Sequence, residues 1–319
     1  MPSSIDPSNQ MRMADQERPV RQHHLRAGMS AGELVGSMGA AGAYNAGALA
    51  RAVEICTEMF EDAKTTVFCG LAGAMVPAGC GGIVEDLVRD GHVDVLVSTG
   101  ANLTHDLIEA LGCRHYQGTA ACSDVELRGQ GINRIYDVYL RNEAFERLEE
   151  YMQETLAGMG ETCSIAGLLA GLGRGVDSGI LAAAADTGTP VFCPAIQDSM
   201  IGLQVWLYTQ AHRLVVDAFA DMQQMMDYCF DARRAGALLV GGGVPKNYIL
   251  QSMLLTPQGF AAAVQLTGDR PDLGGLSGAT LDEARSWGKV TEEGQTVTVY
   301  GDASITLPLL MAAVREAMA

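Results

Sequence analysis

The stretch VDVLVSTGANLTHDLIEALG, residues 93–112, decides the fold. Its first part is an apolar, β-branched run that ends in Ser, Thr and Gly, and the remainder carries apolar residues at helical spacing. A continuous apolar run is typical of a strand that is buried on both faces, and a helix directly after it is typical of a parallel βα unit. We therefore expect a buried strand and a helix that are joined by a turn of small residues.

Four other segments repeat this pattern of apolar run, small residues and helical periodicity. They are TTVFCG (65–70), PVFCPA (190–195), ALLVGGG (237–243) and VTVYGDAS (297–304), with AAVQLT (262–267) as a weaker sixth strand. We expect helices over LAGAMVPAG directly after the first run, over Ala144 to Met152 and over Val216 to Ala235. Such alternation predicts a Rossmann-like α/β fold: an open, doubly wound, mostly parallel sheet with helices on both faces. We expect one such domain over residues 28–319, after a polar tail at residues 1–27.

The composition excludes several classes of protein. The 319 residues are 48% hydrophobic, too apolar for a disordered chain, and the net charge of −17 argues against a nucleic-acid partner. The tail has no apolar core like that of a signal peptide, and Gly residues and Pro77 interrupt the uncharged run 65–84. We therefore expect no membrane segment and a cytoplasmic protein. The eight Cys form no C-x-x-C pair, and we expect no metal site.

The small-residue turns predict one shared ligand site. In doubly wound sheets, ligands bind beyond the carboxyl ends of the strands. The turns GLAGA, STGAN, AIQDS, GGGVPKN and GDAS let backbone N–H groups approach a ligand closely. Five of them together favour a large ligand such as a dinucleotide. Since the first βα unit lacks G-x-G-x-x-G, such a ligand is held differently from that of an ordinary dehydrogenase.

Lysine is rare in this chain, and its positions are informative. The sequence has 18 Arg but only three Lys: Lys64, Lys246 and Lys289. We expect Lys246 and Lys289 to lie in loops that face the predicted ligand site. A desolvated lysine can form an imine, whereas arginine cannot lose its proton. Trp287, in the motif SWGK, could supply apolar surroundings that lower the pKa of Lys289. The residues alone leave open whether Lys289 is an imine-forming nucleophile or an ordinary surface lysine, with Trp287 as a core residue.

Several motifs together resemble the deoxyhypusine synthase family. They are STGANLTHDLIEALG, RGQGINRIYDVYL, GGGVPKNYI, LSGATLDEARSWGKV and VTVYGDASITLPLL, and the similarity runs from about Thr65 to the C-terminus, apart from a variable segment at 150–185. The resemblance implies NAD as cofactor and spermidine as donor of a 4-aminobutyl group, which passes through a lysine imine to an acceptor amine. It also implies a homotetramer.

The resemblance assigns roles to individual positions. Lys289 corresponds to the imine-forming lysine. The positions implied to bind the polyamine substrate are Glu283, Trp287, Asn247, His105, Gly274 and Gly275. The positions implied to bind NAD are Gly73, Ala74, Thr99, Gly100, Ala101, Asp198, Gly242, Thr267, Gly268, Asp302 and Ala303.

Six positions depart from the pattern of the eukaryotic family members. Gly73 and Ala74, in an implied NAD turn, stand where those enzymes have Ser and Asn. Leu203 and Leu276 stand where those enzymes have polyamine-binding acids, Asn247 replaces a histidine, and His105 replaces an acidic residue. Lost carboxylates weaken the attraction for a dication. We therefore expect a small-amine acceptor, as in homospermidine formation, ahead of a protein lysine. In the alternative, Asp269 or Asp272 replaces the lost acids in space, and the enzyme remains selective for spermidine. An NAD-dependent amine oxidoreductase and a non-catalytic NAD- or polyamine-binding homologue are further alternatives.

Overall fold

The computed structural model describes residues 18–319, so residues 1–17 of the predicted tail lie outside the described residues. The helices are α1 (Ala31–Ala41), α2 (Tyr44–Glu61), α3 (Gly81–Arg89), α4 (Gly100–Ala110), α5 (Asp124–Gly129), α6 (Glu143–Ala157), α7 (Ile165–Gly173), α8 (Ile180–Thr187), α9 (Met200–Thr209), α10 (Ala220–Asp231), α11 (Gly243–Ser252), α12 (Leu281–Ser286) and α13 (Ala303–Ala317). The strands are β1 (Thr65–Leu71), β2 (Val95–Ser98), β3 (Tyr116–Gln117), β4 (Ile132–Ile135), β5 (Val138–Arg141), β6 (Thr162–Ser164), β7 (Val191–Phe192), β8 (Val215–Asp217), β9 (Arg234–Val240), β10 (Phe260–Thr267) and β11 (Val290–Tyr300).

The central sheet confirms the predicted fold class. Six strands follow the order β11-β10-β9-β1-β2-β7, and every neighbouring pair is parallel. In chain order this is the Rossmann arrangement, in which the winding reverses between β1 and β9. The less certain sixth strand is β10, which is paired on both sides. Because all strands are parallel, their small-residue turns meet at one edge.

Both faces of the sheet are covered by apolar side chains, as continuous apolar runs require. On one face, Phe68, Phe192 and Phe260 pack with residues of α10, α11 and α12. On the other, residues of α2, α3, α4 and α13 form a larger cluster around Ile55 and Leu96. Within residues 18–319 no helix is long and apolar enough to span a bilayer.

Two predicted helices differ from those observed. Residues 72–80 are a turn, and α3 begins at Gly81, because Pro77 interrupts this segment and the N–H groups of Met75 and Val76 are bonded to the side chain of Asn102 instead. The helix expected over 216–235 is α10, and its ends belong to β8 and β9. The small sheets β3-β5-β4 and β6-β8 were not predicted, since their strands are only two to four residues long.

Candidate active site at the switch point of the sheet

A cleft of about 370 Å³ lies where the winding of the sheet reverses. Four of the five predicted turns contribute to it. Its lining residues are Ala72, Gly73, Ser98, Thr99, Gly100, Ala195, Asp198, Gly241, Gly242, Gly243, Val244, Pro245, Asp269 and Ser277. Five implied NAD positions are among them: Gly73, Thr99, Gly100, Asp198 and Gly242. The structure thus brings five of the eleven implied NAD positions into one cavity.

The remaining implied NAD positions lie beside this cleft rather than in its lining. Thr267 is buried at the end of β10, and its hydroxyl accepts the N–H of Asp269, which lines the cleft. Gly268, Ala74 and Asp302 lie in the turns that follow their strands, and Ala101 and Ala303 lie in the first turns of α4 and α13. The charge of Asp302 helps to raise the pKa of the Cys80 thiol, after burial as the main cause, which places Asp302 near the turn 72–80.

A buried asparagine holds two walls of the cleft together. Asn102 is fully buried in α4, and its amide nitrogen donates to the carbonyl of Gly73 at 2.7 Å. Its amide oxygen accepts the N–H groups of Met75 and Val76. The hydroxyl of Thr99 caps α4. Asn102 was not identified from the sequence, although a polar residue within the apolar face of a helix is a usable signal.

The cleft has the features that a pyrophosphate group requires. The first N–H groups of a helix have no partner inside it, and those of Gly100 and Ala101 meet no acceptor among residues 18–319. A Cβ atom on Gly268 would meet no atom within 4 Å, so the backbone there is open to close approach. These residues fit a dinucleotide.

The two acidic residues of the implied NAD set differ in their local role. Oδ1 of Asp302 accepts the N–H of Ser304 at 2.9 Å and its hydroxyl at 2.8 Å, so Asp302 caps α13. Ser199, and not Asp198, caps α9. The Asp198 carboxylate accepts no hydrogen bond from the described residues and lies in the cleft lining. Asp198 is therefore free for a ligand, whereas Asp302 has one oxygen engaged.

A polar network anchors the Gly-Gly-Gly turn to the segment 268–280. The N–H of Gly243 donates to the hydroxyl of Ser277, and the amide nitrogen of Gln265 donates to the carbonyls of Gly241 and Ser277. Gly242 packs against Ser277 so closely that a Cβ atom there would lie 2.5 Å from Cα of Ser277. The turn cannot shift independently of this segment.

Lys246 belongs to the same network. It is only 3% exposed, and its ammonium donates to the carbonyls of Ser277 and Ala279. Burial lowers the pKa of Lys246 to about 8, the charges of Glu283 and Asp269 act against this, and the charge of Lys289 lowers it further. These charges show that two lysines and two carboxylates lie near one another at the border of the cleft.

Lys289 reaches this group from an unexpected direction. We expected it in a loop at the same edge as the Gly-rich turns. Its backbone instead lies at the amino ends of the strands, where its carbonyl accepts the N–H of Phe260, the first residue of β10. Its ammonium lies 5.7 Å from the ring centroid of Trp287, which is 63% exposed and not a core residue. The aromatic neighbour expected from the sequence is therefore present.

The residues implied to bind the substrate do not lie together in one pocket. Asn247 and Leu276 line a second, largely apolar pocket of about 420 Å³ between α10 and α11. Glu283, Gly274 and Gly275 are exposed in or near the segment 268–286. Leu203 lies on α9 and lines neither this pocket nor the cleft. The nitrogen Nδ1 of His105 bonds to His115, a partner that no sequence motif indicated.

A parallel Rossmann-type sheet with a cleft of small-residue turns at its switch point defines a doubly wound α/β protein. The sequence model of the deoxyhypusine synthase family matches residues 33–314. The chain is 57% identical to Probable deoxyhypusine synthase 1 of Methanosarcina acetivorans over 94% of its length and 96% of the relative. With the protein of the same name from Archaeoglobus fulgidus it shares 42% identity, over 92% and 96%. A solved chain described as a deoxyhypusine synthase of Entamoeba histolytica has the same fold, with a TM-score of 0.67, 17% identity and coverage of 94% and 98%. The chain belongs to the deoxyhypusine synthase family, as its motifs indicated.

Proposed function

We propose that this chain is an NAD-dependent transferase that moves a 4-aminobutyl group from a polyamine to an acceptor amine through Lys289. The observation that carries the proposal is the position of Lys289, which lies against Trp287 and close enough to affect the pKa of buried Lys246 at the border of the cleft. Residues 28–319 act as one NAD-binding unit in this proposal, and the homotetramer implied by the resemblance stays a prediction.

The cleft binds the cofactor chiefly through its backbone. The N–H groups of Gly100 and Ala101 donate to phosphate oxygens, and the open backbone at Gly268 allows close approach. Asp198 accepts ribose hydroxyls. NAD supplies a hydride acceptor when bound.

Lys289 carries the group between donor and acceptor. Its neutral amine attacks the carbon of the oxidised donor, the bond from that carbon to the leaving diamine breaks, and the diamine departs with the electron pair and a proton. The exposed face of Trp287 stabilises a substrate ammonium by about 0.5–2 kcal/mol, and Glu283 pairs with it. Buried Lys246 holds the segment 268–280 in place while the amine binds.

The acceptor in this proposal is a protein lysine. Relatives that share 42% and 57% identity over nearly the whole chain are named deoxyhypusine synthases, and this reverses the order of acceptors expected from the sequence. Asp269 is the acid to test for compensation, because it lines the cleft and its charge acts on Lys246. Asp272 is a weaker substitute, since it is exposed and pairs with Arg270 at 3.5 Å.

A small amine is the second candidate acceptor. Leu276 and Asn247 share the apolar pocket of about 420 Å³, and this pocket contains no carboxylate to hold the far end of a polyamine. A diamine carries fewer ammonium groups than spermidine and therefore needs fewer carboxylate contacts, so this pocket suits a small amine better.

The test is a product analysis with both acceptors. The enzyme is incubated with NAD and spermidine, putrescine or agmatine, with and without the acceptor protein, and the products are identified by mass spectrometry. Release of 1,3-diaminopropane together with a modified protein lysine supports the proposal. Homospermidine without protein modification establishes the second candidate, and NADH accumulation without any transfer product shows an oxidoreductase instead.

A further inference from the structure

The loop that carries Lys289 is closed by a single arginine. Arg285 lies in α12, four residues before Lys289, and its guanidinium reaches residues that follow Lys289 in β11. It donates there to four oxygen atoms: the carbonyls of Thr291 (2.6 Å), Glu292 (2.9 Å) and Gly294 (2.7 Å) and the hydroxyl of Thr296 (3.0 Å). Nε donates to Asp282 at 3.1 Å, so all five N–H groups of the guanidinium are bonded.

The carbonyl acceptors belong to a bulge in β11, which is the edge strand of the sheet beside β10. Phe260 pairs with Val290 and Ala262 pairs with Gln295, so β11 advances by five residues where β10 advances by two. The extra residues cannot bond to β10, and their carbonyl groups need other donors. Arg285 supplies these donors from the other side of the loop.

Lys289 lies directly before this bulge. Its N–H donates to the carbonyl of Ala284 at 3.0 Å, and its carbonyl accepts the N–H of Phe260 at 2.9 Å. Gly288, the residue before it, has a φ of 73°, a left-handed conformation that suits glycine. The backbone around Lys289 is therefore fixed on both sides, and Arg285 joins the two sides.

Loss of the guanidinium would let the bulge rearrange, because its carbonyl groups would lose their donors. If the bulge closed, β11 would shift by three residues relative to Phe260, which moves Lys289 by about 10 Å at about 3.3 Å per residue. A shift by an odd number of residues also turns each side chain to the other face of the sheet. Even a partial rearrangement moves the amine of Lys289 away from Trp287.

We propose that Arg285 is a positioning residue, which holds the bulge so that the amine of Lys289 meets the oxidised donor. The proposal rests on the proposed function, in which Lys289 captures the butyl group after the hydride has left the donor. Arg285 touches no reacting atom, since its five N–H groups are used within the protein.

A displaced Lys289 leaves the oxidised donor to water. In the productive step, the Lys289 amine bonds to the imine carbon, the bond from that carbon to the diamine breaks, and the diamine leaves with the electron pair and a proton. In the competing step, the oxygen of water bonds to the same carbon, both protons of the water pass to the departing diamine, and an aminoaldehyde remains. Removal of the hydride precedes both steps, so the NADH formed counts the donor molecules that were oxidised.

The experiment measures the covalent adduct on Lys289 per NADH formed. The enzyme reacts with NAD and spermidine in a single turnover without acceptor and is quenched with borohydride. Mass spectrometry then measures the adduct, and absorbance measures NADH. We expect Arg285→Ala to form NADH at the wild-type rate, with a fall of about tenfold in adduct per NADH, because a small misplacement of a reacting group costs one or two orders of magnitude in rate.

Chemical rescue tests whether the planar fork of the guanidinium is what matters. The side chain of Arg285 is 27% exposed, so small ions can reach the space that Arg285→Ala leaves. Guanidinium at millimolar concentration should restore part of the adduct, whereas methylammonium and the variant Arg285→Lys, which supply only a compact charge, should not. Equal rescue by methylammonium would contradict the proposal, since charge alone would then suffice.

Arg134→Ala is the matched control. The side chain of Arg134 is also 27% exposed and donates to a carboxylate and a carbonyl, but it lies in β4 of a separate small sheet. This variant should lose stability and keep the wild-type amount of adduct per NADH. If Arg285→Ala does not fold, Thr296→Val repeats the test, because it removes one acceptor of the guanidinium and should give a smaller fall.

The outcomes separate the positioning role from the proposed function. Wild-type adduct per NADH in Arg285→Ala, or in Thr296→Val where Arg285→Ala does not fold, overturns the positioning role and leaves the proposed function standing. An equal fall in Arg134→Ala does the same, because general loss of stability would then be the cause. A wild-type enzyme that forms NADH without any adduct on Lys289 overturns the proposed function, and the positioning role with it.

Discussion

The cleft proposed for the cofactor and the region proposed for the amine present different kinds of chemical groups. The cleft between β1 and β9 is lined by turns of small residues, and its ligand groups are largely backbone N–H groups. The amine region around Lys289 is made of side chains: Trp287, Glu283 and buried Lys246, with Leu276 in the neighbouring pocket. Backbone groups are present whatever the residue, whereas each side-chain contact depends on one residue type.

This difference explains where the sequence departs from the eukaryotic family pattern. Four of the six departures, at Leu203, Leu276, Asn247 and His105, stand at implied substrate positions, whereas the two at implied NAD positions, Gly73 and Ala74, leave a turn of small residues. Substrate choice can therefore change by single replacements without loss of the cleft. The predictions below test whether the two regions can be altered separately.

Replacement of Lys289 should have the largest effect. Lys289→Arg keeps a positive charge but removes the nucleophile, so transfer should fall below detection. Borohydride treatment of the wild type with NAD and spermidine should add a butylamine-sized mass to the peptide that contains Lys289, and the variant should show none. NAD affinity measured by calorimetry should be unchanged. Normal transfer by Lys289→Arg would show that no covalent intermediate forms.

Replacement of Gly242 should damage the cleft more than any single change of a side chain in it. A Cβ atom at Gly242 would clash with Ser277 at 2.5 Å, so Gly242→Ala should weaken NAD binding by about a hundredfold, about 2.8 kcal/mol, and lower the melting temperature.

Gly268→Ala tests whether the ligand contacts the backbone at Gly268, because this change should not affect folding. Nothing lies within 4 Å of the added Cβ atom, so the melting temperature should stay at the wild-type value, and any loss of NAD affinity reports direct contact. Equal melting temperatures for Gly242→Ala and the wild type would disprove the anchoring of the turn by Ser277.

Replacement of the two acids implied to bind NAD, Asp198 and Asp302, should separate ligand binding from helix capping. Asp198→Ala should weaken NAD binding by about 1–3 kcal/mol at an unchanged melting temperature, because Ser199 provides the cap of α9. Asp302→Ala should lower stability by about 1 kcal/mol, since it removes the cap of α13.

Asp302→Asn keeps an oxygen for the cap and should preserve the melting temperature. Calorimetry and thermal unfolding on these variants check both statements. If Asp198→Ala binds NAD with wild-type affinity, Asp198 has no contact with the cofactor.

Restoration of a charge in the amine region should have a smaller effect. Leu276 is 49% exposed, so Leu276→Asp should fold normally. An exposed ion pair contributes about 0.2–1 kcal/mol, which corresponds to an increase of up to about fivefold in kcat/KM for spermidine relative to putrescine. Asp269→Ala tests compensation: if it alone removes the selectivity for spermidine, Asp269 has taken over the lost role.

Buried Lys246 should leave a small signature in the pH dependence of stability. Its pKa is lowered to about 8, below that of the unfolded chain, so the unfolded state binds more protons between about pH 8 and pH 10. The free energy of unfolding of the wild type should therefore rise relative to Lys246→Met across this interval. Lys64→Met, at an exposed position, is the control for the removal of one lysine. A constant difference between the wild type and Lys246→Met would mean that Lys246 titrates normally.

Much of the fold and part of the site could be predicted from local patterns. The six apolar runs became the six strands of the sheet, and the small residues after them became the turns at its carboxyl edge. These features are local, because burial on both faces requires a continuous apolar run and a close turn requires small residues. The motif around Lys289 also indicated its aromatic neighbour correctly.

Other features could not be predicted, since they depend on residues far apart in the chain. The sequence by itself determined the six strands of the central sheet and their alternation with helices, the family and the identity of the rare lysines. Only the tertiary structure decided that the side chain of Asn102 binds backbone N–H groups of residues 72–80, which form a turn and not a helix. It also decided that Lys246 is buried against two carbonyls and that His105 bonds to His115, which in turn bonds to Glu109. It also placed Lys289 at the amino ends of β10 and β11 and separated Leu203 from Leu276. The physical reason is that a hydrogen-bond partner or a desolvated charge is set by packing between elements, which no local pattern of residue types contains.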